Sequence, residues 1–347
     1  MTLEQSPPVE EQQKARVPPS THSDQQGTTT PLVTRALQQY AAVIVLVALA
    51  VFFSILLPDR FGQLSTARTM LSTEAVLAVL AIGVVFPLVA GEFDISIGAV
   101  FGFCALVVAR LDGPEQWPAL AAVGVALLVG LTIGLFNGLL VTKVRMSSFI
   151  ATLGTSVIVA GFAQWISGGK PIFDGVSTDL TDWGRRVLFD QIPIVTFYLI
   201  AVAIVAWFLL EVTVFGRYLR AVGSNVKGAR LAGLPIDRLK LTAFALSGLL
   251  AALAGVISTM KLGSAHPSAG PPLLLPAYAA AFLGATTIRP GRFNVTGTVV
   301  AVFLIAVGIT GIQLWGAPSW VDPVFNGSAL IVAVALSSAG RRTITSA

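Results

Sequence analysis

Long apolar segments alternate with short polar ones along most of the chain. Most of these segments approach the roughly 20 residues that a helix needs to cross a bilayer. They are continuous, and do not alternate residue by residue as a half-buried strand does. The pattern therefore predicts about ten transmembrane helices, near residues 39–57, 70–90, 96–111, 118–141, 147–167, 193–211, 241–260, 272–287, 295–313 and 322–339.

The start of the chain has a different composition from the rest. Residues 1–35 are polar, rich in Pro, Gln, Ser and Thr, and contain no apolar run. A segment of this composition cannot bury enough apolar surface to offset the entropy that ordering costs. We therefore predict a disordered tail at residues 1–35, followed by one transmembrane domain at residues 36–342.

Composition supports the assignment to lipid. Of 347 residues, 55% are hydrophobic and only 11% are charged, and the mean hydropathy is +0.82. Soluble domains are about one quarter charged, so we predict an all-α integral membrane protein that makes multiple passes through the bilayer. The pI of about 9.7 reflects basic residues that flank the spans, and does not point to nucleic acid as a partner.

The basic residues also predict orientation. With ten alternating spans and a cytoplasmic N-terminus, 15 of the 22 Lys and Arg residues fall on the cytoplasmic side. Loops rich in Lys and Arg stay on that side of a membrane. We therefore expect both termini, including the polar tail, to be cytoplasmic.

Several kinds of chemistry have no support in the sequence. There is one cysteine, Cys104, and the two histidines, His22 and His266, are too few and too far apart in sequence to suggest a metal cluster. The phosphate-binding pattern G-x-x-x-x-G-K-[ST] does not occur. We therefore expect no catalytic residue, no metal and no cofactor in this chain.

Acidic groups are scarce in the predicted spans, where Glu74 lies near an outer end and Glu92 and Asp94 lie between two spans. Transporters driven by protons or sodium usually place such groups at mid-membrane. The scarcity suggests that the energy for any transport comes from another chain.

The longest basic loop, at about residues 212–240, carries the most informative pattern. Its middle, "SNVKGARLAGL", reads as a short helix that Ser224 or Asn225 can cap, that Ala229 and Leu231 favour, and that Gly233 ends. A second helical run begins near residues 236–237 and continues into the next span. A short cytoplasmic helix can dock a partner protein, but on physical grounds alone a loop that anchors to anionic lipid fits equally well.

Four blocks in this order resemble one known family. They are "GEFDISIG" at 91–98, "FNGLLVTKVRMSSFIATLGTSVIVAGFAQWISGGKPI" at 136–172, "FGRYLRAVGSNVKGARLAGLPIDRLKL" at 215–241 and "HPSAGPPLLLPAYAAAFLGATTIRPGRFNVTGTVVA" at 266–301. Together they resemble the permease subunits of ribose-type ATP-binding-cassette importers. The resemblance extends over nearly everything after the tail.

The resemblance implies an import permease of a bacterial inner (cytoplasmic) membrane, paired with a second copy or a sister permease. Two ATPase subunits, which bind ATP and Mg²⁺, would dock on the loop, and an external or periplasmic binding protein would deliver a sugar, which the family resemblance implies is a monosaccharide. The predicted coupling residues are Arg217, Ser224, Asn225, Ala229, Arg230, Leu231 and Gly233. Arg217 either docks the ATPase or only helps to set topology.

Three roles are open to Asp94 and Ser96, which stand just before the third span. They can cap that helix, contribute to gating or packing at the transport path, or bind an ion, with capping favoured. Asn137 and Thr152 fit interhelical hydrogen bonding and tight packing, with contact to the cargo as the second reading. Phe149 fits either the path or an ordinary apolar surface.

A different class of function also fits part of the pattern. A secondary transporter or facilitator of a small polar solute would work without an ATPase. It would be favoured by buried acid pairs or by inverted halves with matching broken helices, and the sequence displays neither clearly.

Overall fold

The computed structural model describes residues 32–345, and side chains from residue 39 to residue 335. The predicted disorder of the tail falls on residues 1–31, outside the described residues, except that helix α1 already begins at Leu32. The chain divides into two compact units, residues 1–36 and residues 37–347. Apart from the first residues of helix α1, everything below concerns the second unit.

Each of the ten predicted apolar segments is helical. In chain order they are α1 Leu32–Leu56, α2 Leu64–Val89, α3 Ile97–Asp112, α4 Ala119–Thr142, α5 Ser148–Ser167, α7 Ile194–Trp207 with a π-turn Phe208–Val212, α10 Ile236–Leu262, α11 Pro271–Gly284, α12 Val295–Leu314 and α13 Val321–Thr345.

Not all ten are built to cross a membrane alone. Among the described residues, seven helices have the length and hydropathy of a span, whereas Pro271–Gly284 and the apolar part of α13, Val321–Ala335, are shorter. Helix α3, with 16 residues, is also short. The protein is a multi-pass membrane protein whose short helices are packed among longer ones.

Sequence patterns missed the smaller elements between these helices. Helix α6, Thr178–Arg185, and a hairpin of strands β1, Val187–Leu188, and β2, Ile192–Pro193, fill the longest loop at one end of the bundle. Helices α8, Val214–Ser224, and α9, Val226–Leu231, occupy the basic loop at the other end. Only α9 was expected from the sequence.

Helices α2 and α10 form the centre of the bundle. From residue 75 to residue 89 nearly every residue of α2 is buried, so the helix is apolar all round, as an interior helix must be. Helix α4 packs tightly on α10 because Gly130 and Gly134 face Gly248. A Cβ on Gly248 would lie 2.3 Å from the Gly130 carbonyl oxygen, and only glycine allows such close approach in a lipid-embedded bundle.

The loops that connect the long helices lie at two opposite ends of the bundle. At one end, Arg60 Nη1 donates to the Leu314 carbonyl at 3.1 Å and Arg68 Nε to the Gln191 carbonyl at 3.0 Å. At the other, the Ile288 amide donates to the Gln39 carbonyl at 2.9 Å. This second end, called the basic end below, carries loops 90–96, 143–147, 213–235 and 285–294. Loops that alternate between two ends are what a chain that crosses repeatedly requires.

Candidate coupling site

The basic end carries a helical segment that the sequence predicted in part. Helix α9 begins where Asn225 Oδ1 accepts a hydrogen bond from the Gly228 amide at 2.9 Å. Ser224, the other candidate cap, is instead the last residue of α8 and donates to the Ala221 carbonyl. After α9 the chain turns at Gly233, whose φ of +74° is a conformation that glycine adopts without strain. We call α8 and α9 together, residues 214–231, the coupling segment.

One face of α9 is buried against the bundle and the other is exposed. Ala229 is buried, while the Leu231 side chain is 91% exposed and Arg230 is exposed beside it. Arg217 lies on α8, where its guanidinium donates to the Val212 carbonyl at 3.1 Å. An apolar tip held forward by a capped helix gives a partner a rigid element to push against.

A buried carboxylate fixes α8, and sequence reasoning did not find it. The Glu211 side chain, in the π-turn, is only 5% exposed and forms ion pairs with Arg220 of α8 and Arg289 of loop 285–294. Burial lowers the pKa of Arg220, and the charge of Arg292 lowers it further. A π-turn within an α-helix often marks a functional site. The sequence signal that could have revealed this one was a single acid, Glu211, in an otherwise apolar run.

The loop Gly91–Ser96 is the second part of the site and is called the buried loop below. Asp94 is 1% exposed and accepts three hydrogen bonds: from the Ser96 amide at 3.1 Å, the Ser96 hydroxyl at 2.5 Å and the Ser247 hydroxyl of α10 at 2.7 Å. Asn137 of α4, fully buried, donates through Nδ2 to Ser96 Oγ at 2.8 Å. The carboxylate therefore joins the loop to two helices of the core.

Backbone amides of the buried loop are satisfied by side chains of two further helices. The amides of Phe93 and Ile95 donate to the hydroxyls of Ser148, at 3.2 Å, and Thr152, at 2.9 Å, both on α5. The Asp94 amide donates to the Tyr278 hydroxyl of α11 at 2.9 Å. Because unpaired amides are costly in an apolar interior, these bonds hold the loop in one position.

The Ser96 side chain does not cap α3, whereas Asp94 Oδ1 does accept a hydrogen bond from the Ser96 amide at the start of that helix. Ser96 is the residue that precedes α3, but its backbone is already helical, with φ −73° and ψ −16°, and its side chain makes no capping bond. The hydroxyl is engaged by Asp94 and Asn137 instead. Asp94 and Ser96 belong to a hydrogen-bond cluster between helices, which only the tertiary structure reveals.

Four of the five residues assigned to path or gating come together here: Asp94, Ser96, Asn137 and Thr152. Phe149 does not join them, as its side chain is 50% exposed on α5. Ser148, Ser247 and Tyr278 complete the cluster and were not predicted. Their hydroxyl groups within otherwise apolar helices were the sequence signal that could have revealed them.

The buried loop and the coupling segment touch. A Cβ on Gly223 of α8 would lie 2.0 Å from the Val89 carbonyl oxygen, so the two backbones are in direct contact. Gly91, with φ +78°, faces the same glycine. An ion pair between Glu92 and Lys240 also ties the buried loop to the start of α10, the helix that follows the coupling segment, with both side chains about one-sixth exposed. A displacement of α8 would therefore press on the loop directly.

At the opposite end, a cavity of about 540 Å³ lies between α2, α11, α12 and α13. Its wall combines apolar side chains with hydroxyl, amide and carboxylate groups, among them Thr69, Glu74, Thr310, Gln313, Asp322 and Asn326. Gln313 Nε2 donates to Asp322 Oδ2 at 2.6 Å. This composition suits a polar solute, because a few placed polar groups in an apolar wall orient a ligand.

Comparison with known proteins gives consistent relatives. The family described as branched-chain amino acid transport system / permease component matches residues 66–334. The ribose import permease protein of Escherichia coli (strain K12) is 31% identical over 303 residues, which is 86% of this chain and 93% of that protein.

Two other relatives are similar at the same level. The ribose import permease protein of Bacillus subtilis (strain 168) is 34% identical over 301 residues, 86% of this chain and 92% of that protein. The autoinducer 2 import system permease protein of Yersinia pestis (strain Pestoides F) is 33% identical over 288 residues, 82% and 81% of the two chains. No solved structure matches the chain at a significant level.

The match extends from the second helix to the last, and it includes both the buried loop and the coupling segment. The chain belongs to the family of transport-system permease components that includes the ribose and autoinducer 2 import permeases.

Proposed function

We propose that this chain is the membrane-spanning subunit of an ATP-driven importer that moves a monosaccharide or a similar small polyhydroxylated solute. The observation that carries the proposal is the direct contact of Gly223, in the coupling segment, with Val89 at the end of α2 and with Gly91 of the buried loop. Such a contact gives a partner outside the membrane mechanical access to four helices inside it.

The partners follow from what the chain supplies and what it lacks. It offers a rigid docking helix but no phosphate-binding motif, so ATP and Mg²⁺ belong to ATPase subunits that dock on α9. The exposed Leu231 side chain fits an apolar pocket of the ATPase. A binding protein delivers the solute at the opposite end, and a second permease completes the pair.

The proposed orientation places the basic end in the cytoplasm of a bacterium, in the inner membrane. Lys and Arg are concentrated in its loops, as the positive-inside rule requires. Gln39 of α1 lies at this end as well, where its carbonyl accepts a hydrogen bond from the Ile288 amide. A cytoplasmic ATPase then meets the coupling segment, and the cavity lined by Glu74 and Asp322 faces outward.

Movement reaches the helices in three steps. ATP binding closes the ATPase pair and pushes α9, and α8 moves with it because Asn225 joins the two without a linker. Gly223 then presses on Val89, while Lys240 pulls on Glu92. Finally the buried loop carries the shift to α4, α5, α10 and α11 through its hydrogen bonds, and this changes which end of the path is open. Hydrolysis resets the position.

A sugar is favoured over a charged amino acid as cargo. The family description names branched-chain amino acids, whereas the relatives are named for ribose and autoinducer 2. In the outward cavity the ionisable lining residues are Glu74 and Asp322. No basic residue in the described lining can pair with the carboxylate of an amino acid, while sugar hydroxyl groups can donate to both acids and accept from Gln313.

Reconstitution into vesicles tests the proposal. The chain, its ATPase and its binding protein are placed in vesicles, and uptake of D-ribose and L-leucine is measured with ATP and with a non-hydrolysable analogue. We expect ribose uptake only with ATP. Uptake driven by a proton or sodium gradient with no ATPase present would contradict the proposal and favour a secondary transporter.

A further inference from the structure

The basic end also has a large cavity, and its lining carries an unusual excess of positive charge. It has a volume of about 710 Å³ and lies between the α4–α5 linker, helix α9 and the start of α10. Five basic residues and one acidic residue line it, and we call it the basic pocket: Lys143, Arg145, Arg230, Arg238 and Lys240, with Asp237.

Most of this positive charge is not neutralised by the side chains that the structure describes. Lys240 is paired with Glu92, but the other four basic side chains form no ion pair and no side-chain hydrogen bond within residues 39–335. All four are exposed, and one aspartate cannot balance them. Like charges gathered around one cavity repel each other, so the arrangement is stabilised when an anion enters.

The backbone at the pocket is also held in an uncommon conformation. Arg145 has φ +62°, in the left-handed region that residues with a Cβ rarely adopt. The turn is fixed by the bond from the Met146 amide to the Leu140 carbonyl at 3.1 Å. Such conformations concentrate at ligand-binding and functional sites. Here the conformation belongs to a residue that lines the pocket.

The surroundings of the pocket indicate where the anion comes from. Val144 and Met146, in the same linker, are 62% and 37% exposed, and Leu139 of α4 is 44% exposed just inside. Apolar side chains exposed on a membrane helix contact acyl chains, while basic pockets between helices on the cytoplasmic side bind anionic headgroups. A phospholipid can therefore place its tails along α4 and its phosphate in the pocket.

We infer that the basic pocket binds the phosphate headgroup of an anionic phospholipid from the adjoining leaflet, and that the lipid holds α9 against the ends of α4 and α10. Arg230 is the contact on α9, and Lys143, Arg145 and Arg238 are the contacts on the bundle. The second part, that lipid sets the position of the coupling helix, rests on the proposed function. The first part does not.

Lipid retention by the purified full chain tests the first part, without any partner. The chain is purified from membranes containing phosphatidylglycerol and phosphatidylcholine, and retained lipids are counted by native mass spectrometry. The test variant is R145A/R230A/R238A. The matched control, K170A/R186A/K227A, removes the same charge from exposed residues outside the pocket.

We expect the wild type and the control to retain phosphatidylglycerol in preference to phosphatidylcholine. The test variant should bind it about 100-fold more weakly, because each basic group near an anionic headgroup contributes about fivefold. The charge-preserving variant R145K/R230K/R238K should keep most of the binding, which separates loss of the site from misfolding.

Three results would overturn the inference. One is equal retention by the wild type and the test variant. Another is full displacement of the lipid by inorganic phosphate, which would make free phosphate the ligand. The third is unchanged lipid retention with loss of ATPase binding in the test variant, which would make an acidic protein segment the occupant.

The second part is tested with the assembled importer in vesicles with and without phosphatidylglycerol. Wild-type ATP-driven uptake should rise severalfold with the anionic lipid, and uptake by the test variant should not respond. If no assembly shows ATP-driven uptake, the proposed function fails while the lipid site stands. If uptake occurs but ignores the lipid, only this second part fails.

Discussion

The buried loop and the coupling segment lie in contact at the same end of the molecule, yet they satisfy their polar groups in opposite ways. In the buried loop, the carboxylate of Asp94 and the amides of residues 93–96 all find partners within the protein. At the tip of the coupling segment, the Arg230 side chain has no hydrogen-bond or ion-pair partner in the described part of the chain. The neighbouring apolar residue, Leu231, is 91% exposed.

This difference separates two kinds of function. A polar cluster that is satisfied internally fixes helices relative to one another and transmits force. An exposed apolar residue at the tip of a capped helix contributes nothing to the fold, and gains free energy only when a partner covers it. Substitutions in the first region, or where the two regions touch, should lower stability, and substitutions at the exposed tip of the second should not. Four variants can test this in order of decreasing effect on the chain.

The largest effect is expected for Asp94→Ala. Three donors, from Ser96 and Ser247, lose their acceptor in a buried site, and each unsatisfied buried group costs about 1–3 kcal/mol. We expect a loss of about 3–5 kcal/mol, seen as a lower thermal midpoint of the purified chain in detergent. Asp59→Ala, on an exposed loop, is the control, and equal midpoints for the two variants would contradict the role of the cluster.

Gly223→Ala should come next, because it tests the contact between the two regions. The new Cβ would clash with the Val89 carbonyl, 2.0 Å away, and overpacking typically costs about 1–3 kcal/mol. Stability should fall and ATP-driven uptake should be lost. Gly124→Ala, where a Cβ meets nothing within 4 Å, should retain both, and normal uptake by Gly223→Ala would argue against this route of transmission.

The ion pair between Glu92 and Lys240 should have a smaller effect. Since both side chains are about one-sixth exposed, Lys240→Met should cost about 1–2 kcal/mol by leaving the carboxylate unpaired. The double variant Glu92→Gln/Lys240→Met should recover most of that stability without recovering coupled ATP hydrolysis. Independent, additive effects in this double-mutant cycle would show that the pair is not a link.

Leu231→Ser should change the stability of the chain least, by less than about 0.5 kcal/mol, as is usual for an exposed position. It should nevertheless weaken ATPase association at least tenfold, measured by co-purification. Leu231→Met, which keeps an apolar tip, should bind nearly as the wild type does. Normal ATPase association by Leu231→Ser would move the docking site away from α9.

Much of this picture could be predicted before the structure. The ten apolar segments are all helices, and the short helix after Asn225 is present with the predicted cap. These features are local: hydropathy over about 20 residues and a capping side chain three residues from its donor depend on neighbouring positions only. The count of helices long enough to span, seven among the described residues, is lower than the predicted ten.

The clusters could not be predicted in this way, because their members are far apart in sequence. Ser247 lies 153 positions from Asp94 and Tyr278 lies 184 positions away. An aspartate before a helix predicts a cap, and only packing shows that α10 and α11 supply partners for Asp94 while α4 and α5 bond to its neighbours in the loop. The same holds for Glu211, whose two arginines come from separate loops.

The sequence by itself determined that this is a helical membrane protein, where its helices lie along the chain, and which loop is exposed and basic, because lipid selects for apolar length and the positive-inside rule for charge. Only the tertiary structure decided that Asp94 lies in a hydrogen-bonded junction, that α8 contacts this loop, and that one cavity is lined by four basic side chains with no ion pair among the described residues. Those features depend on which helices become neighbours, and that is decided by close packing at glycines such as Gly130, Gly223 and Gly248.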